Sequence, residues 1–310
     1  MDGGMNGESG PERASSVEPR EKLDILYRDP YLVAVYKPAG LLVHRTSLDS
    51  REVRFAVQLL RDQLGKEVFP CHRLDKPTSG ILLFALNKEI LKAVNAAFAE
   101  GRVEKRYRAL VRGWIREAGR LDYPLRPLKE EGSRAATAGP RDAVTEYAPL
   151  EHYELPEALG RYATARFSLV ELAPLTGRTH QLRRHLAHLR HPVIGDTRHG
   201  DGLQNRFFRD RLQSRRLLLS AVSLAMAHPV SGRELRVEAE PDTGFQSVVE
   251  RLRCQGAKAG VSRPPLTPEP GAATREASRW SRECRVWSGG DPEAPCAGQR
   301  PGKHSAGNRR

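Results

Sequence analysis

The segment CHRLDKPTSGILLFA, Cys71 to Ala85, places one acid, Asp75, between Arg73 and Lys76, then follows it with Pro77, Thr78, Ser79, Gly80 and a wholly apolar run. Neighbouring cations favour the charged form of such an aspartate. Held on a proline-stiffened turn at the edge of a core, it can serve as nucleophile, base or metal ligand. Aspartate is also common in turns as a surface ion pair. A second stretch, TGRTHQLRRHLAHLRH, holds His180, His185, His188 and His191 beside Arg178, Arg183 and Arg184. The last three histidines recur every third residue and drift around a helix; no carboxylate or thiol completes a zinc set, so no metal is expected. The arginines gather at or near a helix start, where they can hold a buried carboxylate or phosphates, or form a solvated basic face. In a third stretch, EKRYRALVRGW, β alternation puts Lys105, Tyr107, Ala109 and Val111 on one face and Arg106, Arg108, Leu110 and Arg112 on the other. A tyrosine ring among basic residues suits stacking on an unpaired base, and equally suits a core.

The elements that must position these groups follow from pattern. LDILYRDPYLVAVYKPAGLLVH reads as two short strands separated by an Asp29-Pro30 turn and closed by Pro38-Ala39-Gly40. ILLFAL has the length and composition of a buried strand. NKEILKAVNAAFAEGRV spaces Ile90, Leu91, Val94 and Phe98 as a helix, with Asn87 as N-cap and Gly101 as stop. EKRYRALVRGWI and ARFSLVELAPLTGR return to β. THQLRRHLAHLRHP reads as a helix with Leu182, Leu186 and Leu189 on one face, ended by Pro192. Strands outnumber helices without regular alternation, so the expected class is α+β, a mixed and largely antiparallel sheet with flanking helices.

The chain has 310 residues, 39% hydrophobic and 29% charged, with a formal net charge of +13. Clustered Lys and Arg raise the local concentration of polyanions, which makes nucleic acid the expected partner. No apolar stretch approaches the ~20 residues that span a bilayer. MDGGMNGESGPERASSVEPR has no apolar core for a signal peptide, so a cytoplasmic protein is expected. The four cysteines, Cys71, Cys254, Cys284 and Cys296, are scattered, as reduced thiols would be. Residues 1–20 and 256–310, rich in Gly, Pro, Ser and charge, read as disordered tails around one catalytic block at 21–255, with LKEEGSRAATAGPRDA as a long polar connection.

Taken together and in order, YKPAGLLVH, HRLDKPTSGILLFA, KRYRALVRG and LTGRTHQLRRHLAHLRHPVIGD resemble the RluA-type pseudouridine synthases, over about Leu23 to Leu252. The resemblance implies a mixed-sheet catalytic domain with a central RNA-binding cleft, which isomerises a chosen uridine of RNA to pseudouridine without cofactor or metal. It implies Asp75 as nucleophile, Tyr107 stacked on the target uracil within reach of the proton lost from C5, Arg183 paired with Asp75, and Arg73 filling the space of the flipped nucleotide. Arg178 is an alternative partner for Asp75. Lys37, Lys76, Arg178 and Arg184 complete the implied RNA contacts. Further segments, among them VFPCHRLDKPTSG, LDYPL, AVTEY and GDTRHGDGLQNR, are similar to the branch of the family that modifies uridine 65 of tRNA. Ribosomal-RNA relatives commonly carry an apolar residue at the position of Arg184, and several have an S4-type domain ahead of the catalytic one. A monomer acting on tRNA is therefore expected, with ribosomal RNA, or RNA binding on a catalytically dead scaffold, as the alternatives.

Overall fold

The computed structural model describes residues 22–44, 54–128 and 139–256. Apart from Gly256, the expected tails fall outside them, as do Cys284, Cys296 and most of the polar connection.

A hairpin opens the fold. β1 (Asp24–Arg28) and β2 (Leu32–Lys37) pair antiparallel, and Asp29 closes the turn by accepting the amide N–H groups of Tyr31 (2.7 Å) and Leu32 (2.6 Å) through Oδ1. Next come α1 (Ala56–Leu64), β3 (Phe69–Pro70), β4 (Ser79–Ala85) and α2 (Lys88–Ala99). Asn87 caps α2 as its residue type predicts, its side chain accepting the Ile90 N–H at 2.8 Å. The strands β5 (Glu104–Arg112), β6 (Gly119–Asp122), β7 (Val144–Leu155) and β8 (Ala165–Pro174) lead to α3 (Gln181–His188) and α4 (Gly202–Arg211). β9 (Leu219–Ala227), β10 (Glu234–Glu238) and α5 (Thr243–Gln255) complete the described residues.

The strands form one sheet in the order β1-β2-β4-β9-β5-β8-β7-β6, with β3 on β4 and β10 on β9; the β4–β9 pairing is parallel and the others are antiparallel. This is the α+β architecture that the sequence predicts. Strand alternation sends Ala34, Ile81 and Leu83 to the face covered by α2, and Val33, Val35, Leu82 and Phe84 to the face covered by α1. Further along, Leu110, Phe167 and Leu169 pack with α4 and α5, while Ala109, Val111, Val170 and Leu172 pack with α3. Phe84 and Phe167 are fully buried, and such burial stabilises by ~1.5–3 kcal/mol per side chain.

One crossing positions the site. Ala221 of β9 lies opposite Gly80 of β4 on one side and Tyr107 of β5 on the other. The turn bearing Asp75 leads into β4, and α3 packs over β5 and β8, so the order β4-β9-β5-β8 gathers Asp75, Tyr107 and Arg183. Gly80 has φ +111°, and a Cβ there would lie 2.1 Å from the Ala221 carbonyl oxygen. Only glycine permits this approach. Gly80→Ala is expected to lower unfolding stability by at least ~2 kcal/mol, because backbone on a central strand must shift; urea denaturation would measure it, and an unchanged midpoint would refute it.

Candidate active site

The Asp75 turn is braced from below. Thr78 N–H donates to the Asp75 carbonyl (3.0 Å), and Gly40 N–H donates to the Lys76 carbonyl (2.8 Å). The Lys37 ammonium donates to the carbonyls of Pro38 (2.9 Å), Leu41 (2.8 Å) and Lys76 (3.2 Å). Lys37 is fully buried, which corrects its expected place among the RNA contacts. A cation spent on three carbonyls inside the fold has no free donor for a phosphate; it ties the Lys37-to-Leu41 turn to the Asp75 turn instead. Burial lowers its pKa, opposed by the Asp75 charge and assisted by that of Arg216, while the three carbonyl acceptors favour the ammonium form. Beneath the start of β4, Ser79 accepts a bond from Arg216 (2.8 Å), and Arg216 also pairs with Asp242, whose amide donates to the Tyr36 hydroxyl (2.8 Å).

Above the turn, Arg183 donates from Nη1 to Asp75 Oδ2 at 3.0 Å. Its other edge grips Asp196, Nε to Oδ2 at 2.7 Å and Nη2 to Oδ1 at 2.8 Å. Arg183 is 4% exposed and Asp196 1%, so the cation is oriented within the fold and offers one of its three remaining N–H groups to Asp75. Burial pushes the Asp196 carboxyl up, but bonds from Arg183 and from the His199 and Arg198 amides outweigh it and hold the pKa at about 2. The two arginines read as alternative partners are thereby separated. Arg178 is exposed on the wall of the same cleft and spends Nε on the Asp142 carbonyl at 2.9 Å.

His180 and His199 add a contact that residue spacing did not reveal. His180, in the left-handed conformation at φ 53° just before α3, places Nε2 3.8 Å from Asp75 Oδ2, and its Nδ1 lies 2.9 Å from His199 Nε2. Burial lowers both pKa values, that of His199 to about 4, so both rings are neutral near pH 7. A neutral ring carries one proton. The arrangement that turns an N–H toward Asp75 has His199 donating to His180 Nδ1 and His180 presenting Nε2–H to the carboxylate.

Tyr107 lines the same cleft, of about 520 Å³, with Asp75, Arg183, Arg73 and Lys105. Burial and then the Asp75 charge raise its pKa, so it stands there as an uncharged phenol. Arg73 is exposed at the cleft and Lys76 half-buried in the turn. Arg184 opens onto a neighbouring small pocket. The remaining arginines of β5 are spoken for: Arg106 bonds Glu171 (2.6 Å), Arg108 pairs with Glu240, and Arg112 bonds Asp201 (2.6 Å). The other histidines of α3 and its end are dispersed. His185 lies 2.9 Å from Thr145 Oγ1, His188 stacks on Tyr123, and His191 lies 2.7 Å from the Arg112 carbonyl; among the described residues no three potential ligands gather for a metal.

Sequence reasoning passed over Asp196, His199, Arg216 and Asp242. Asp196 closes the quoted arginine stretch, yet nothing in residue spacing marks it as the clamp on Arg183. The arrangement as a whole is one carboxylate, held by a clamped guanidinium with a neutral imidazole nearby, on the wall of a cleft that a phenol also lines. It can deliver an oriented nucleophile to a planar ligand.

Comparison with known proteins matches residues 31–188 to the family described as RNA pseudouridylate synthase. The chain is 51% identical over 239 residues to the tRNA pseudouridine synthase C of Vibrio cholerae, covering 75% of this chain and 97% of that one. It is 47% identical over 240 residues to the protein of the same name from Salmonella typhi, covering 76% and 91%. Among solved structures it resembles human RNA Pseudouridylate Synthase Domain Containing 1, with TM-score 0.56, 30% identity, and coverage of 80% of this chain and 99% of that one.

Two stability predictions follow from the geometry. Asp196→Ala leaves the Arg183 charge buried without its bidentate partner and is expected to cost ~3–5 kcal/mol in urea denaturation; a loss under ~1 kcal/mol would show that Arg183 finds another place. His72, whose Nε2 accepts the Leu83 N–H at 3.0 Å, is held at a pKa of about 4 by burial and by Lys105. Unfolded histidine titrates near ~6.5, so the unfolded chain takes up the proton first, and this stabilisation is complete at pH 7 and lost as pH falls toward 4. The drop in stability from pH 7 to pH 5 is expected to shrink by roughly 1–2 kcal/mol in His72→Gln, which still offers an acceptor; an identical drop in both proteins would contradict it.

Proposed function

The chain belongs to the RNA pseudouridylate synthase family, and from that premise we propose that it is an isomerase converting a uridine of tRNA, at position 65, to pseudouridine, with Asp75 as nucleophile. The observation that carries this reading is the Asp75–Arg183–Asp196 chain on the wall of a cleft lined by Tyr107. The relatives named tRNA pseudouridine synthase C support tRNA as the substrate.

The reaction breaks the C1′–N1 bond, turns the uracil, and forms C1′–C5. The proton on C5 is lost and N1 gains one, so atoms and electrons balance without a co-reactant. Asp75 supplies the electron pair, at C1′ of the ribose or C6 of the uracil, and Arg183 holds the carboxylate in the cleft. Tyr107 stacks on the uracil near C5; its raised pKa keeps it a phenol, so it guides the base without carrying charge. The uridine leaves its stack to enter, at a cost of a few kcal/mol, and Arg73 takes its place. All of these groups come from one chain, so a monomer is sufficient. Among the described residues no helix is long and apolar enough to cross a membrane, and we place the enzyme in the cytoplasm with its RNA.

The decisive experiment maps pseudouridine at single-nucleotide resolution after incubation with unmodified tRNA transcript and with ribosomal-RNA fragments. Conversion is expected at position 65 of tRNA. In Asp75→Ala the rate should fall by more than ~10³ while RNA affinity stays within a few fold, the pattern for loss of a group used only in chemistry. Conversion in ribosomal RNA alone would overturn the substrate, and turnover retained in Asp75→Ala would overturn the nucleophile.

A further inference from the structure

Beside the main cleft lies a second hollow of about 80 Å³, lined by Arg126, Arg141, Arg178 and Arg184 and, among the described residues, by no acidic side chain. It shares Gly177, Arg178 and Thr179 with the wall of the main cleft. The four arginines come from separate places in the chain. Arg126 follows β6, Arg141 precedes β7, Arg178 lies in the loop after β8, and Arg184 is in α3. A solvated face of one helix would not bring them together.

Backbone geometry builds the hollow. Leu125 and Arg141 form a reciprocal bridge, Arg141 N–H donating to the Leu125 carbonyl at 3.0 Å and Leu125 N–H to the Arg141 carbonyl at 2.9 Å. This sets Arg126 and Arg141 side by side. Arg178 is fixed twice, by its amide donating to Gln181 Oε1 (3.0 Å) and by Nε donating to the Asp142 carbonyl (2.9 Å). The planar forks of guanidinium groups match phosphate oxygens. At ~30 Å³ of liquid volume for each water, the hollow holds about three, room for a phosphate group and too little for a nucleoside.

We propose that this pocket binds one backbone phosphate of the RNA, close in sequence to the uridine held over Asp75, and so sets the register of the strand entering the cleft. The proposal rests on the functional reading above only for the identity of the polyanion. Phosphate contacts of this kind fix position on a nucleic acid without reading its sequence.

The test measures affinity for the tRNA transcript against salt concentration, using the full chain and the Arg126→Ala/Arg141→Ala double variant, with thermal melting to confirm that both are folded. The double variant is expected to bind about tenfold more weakly, with the slope of log K against log salt shallower by ~0.7–0.9, the value for one phosphate. Arg126→Lys/Arg141→Lys should recover the slope, since charge alone sets it, but not the full affinity. A scan of transcripts each carrying one uncharged methylphosphonate linkage should find a single linkage near the target uridine that weakens the unaltered protein and leaves the double variant untouched. An unchanged salt slope, or equal losses at every linkage in both proteins, would overturn the pocket. The functional reading fails separately, by absence of pseudouridine, whatever the salt slopes show.

Discussion

A single buried guanidinium carries the organisation of this site. Arg183 lies between two carboxylates, Asp196 behind it and Asp75 in front, almost out of contact with water. Burying a charge costs several kcal/mol unless its partners satisfy it, so every element that places those partners is constrained at once. Asp196 is held by the amides of Arg198 and His199, and its carbonyl accepts a bond from the Asn205 side chain. α3 must therefore sit at a fixed height over β5 and β8, and the Asp75 turn must rise to meet it.

The Asp75 turn meets that height through two features beneath it. Gly80 lets β4 run against Ala221 at a distance no side chain would tolerate, which brings the parallel pair β4–β9 close beside β5 and Tyr107. Lys37 then binds the turn from the inside through three carbonyls. The two buried cations work differently for a chemical reason. A lysine ammonium is a compact donor that can gather carbonyls around it, whereas a guanidinium presents a planar fork that grips one carboxylate and still has an N–H to offer another. Exchanging their positions would leave an arginine with unmatched donors at the Lys37 site and a lysine without the planar fork that grips Asp196.

Local pattern carried much of this. Asn87 and Gly101 bound α2, the all-buried ILLFA run became β4, and the leucine spacing from Leu182 marked α3. Other elements escaped because their signals are weak in isolation. β9 is buried along nearly its whole length, so LSAVSLAMA lacks the alternation that identifies a strand. In α4 only Gln204 and Phe208 are buried, too few to show a helical period. β7 carries Pro149 beside a register shift, which interrupts its pattern.

The sequence by itself determined the chemistry on offer: an aspartate on a rigid turn, a tyrosine on a basic strand, arginines at a helix start, and motifs specific enough to name a family. Those are properties of residue types and short spacings, which local periodicity and turn chemistry record. Only the tertiary structure decided that Arg183 and not Arg178 meets Asp75, that Asp196 clamps it, that Lys37 faces inward, and that four arginines from separate segments share one hollow. Asp75 and Arg183 are 108 residues apart. Their meeting depends on strand order, which the neighbourhood of neither residue encodes, and on the backbone approach at Gly80, whose partner Ala221 lies far along the chain.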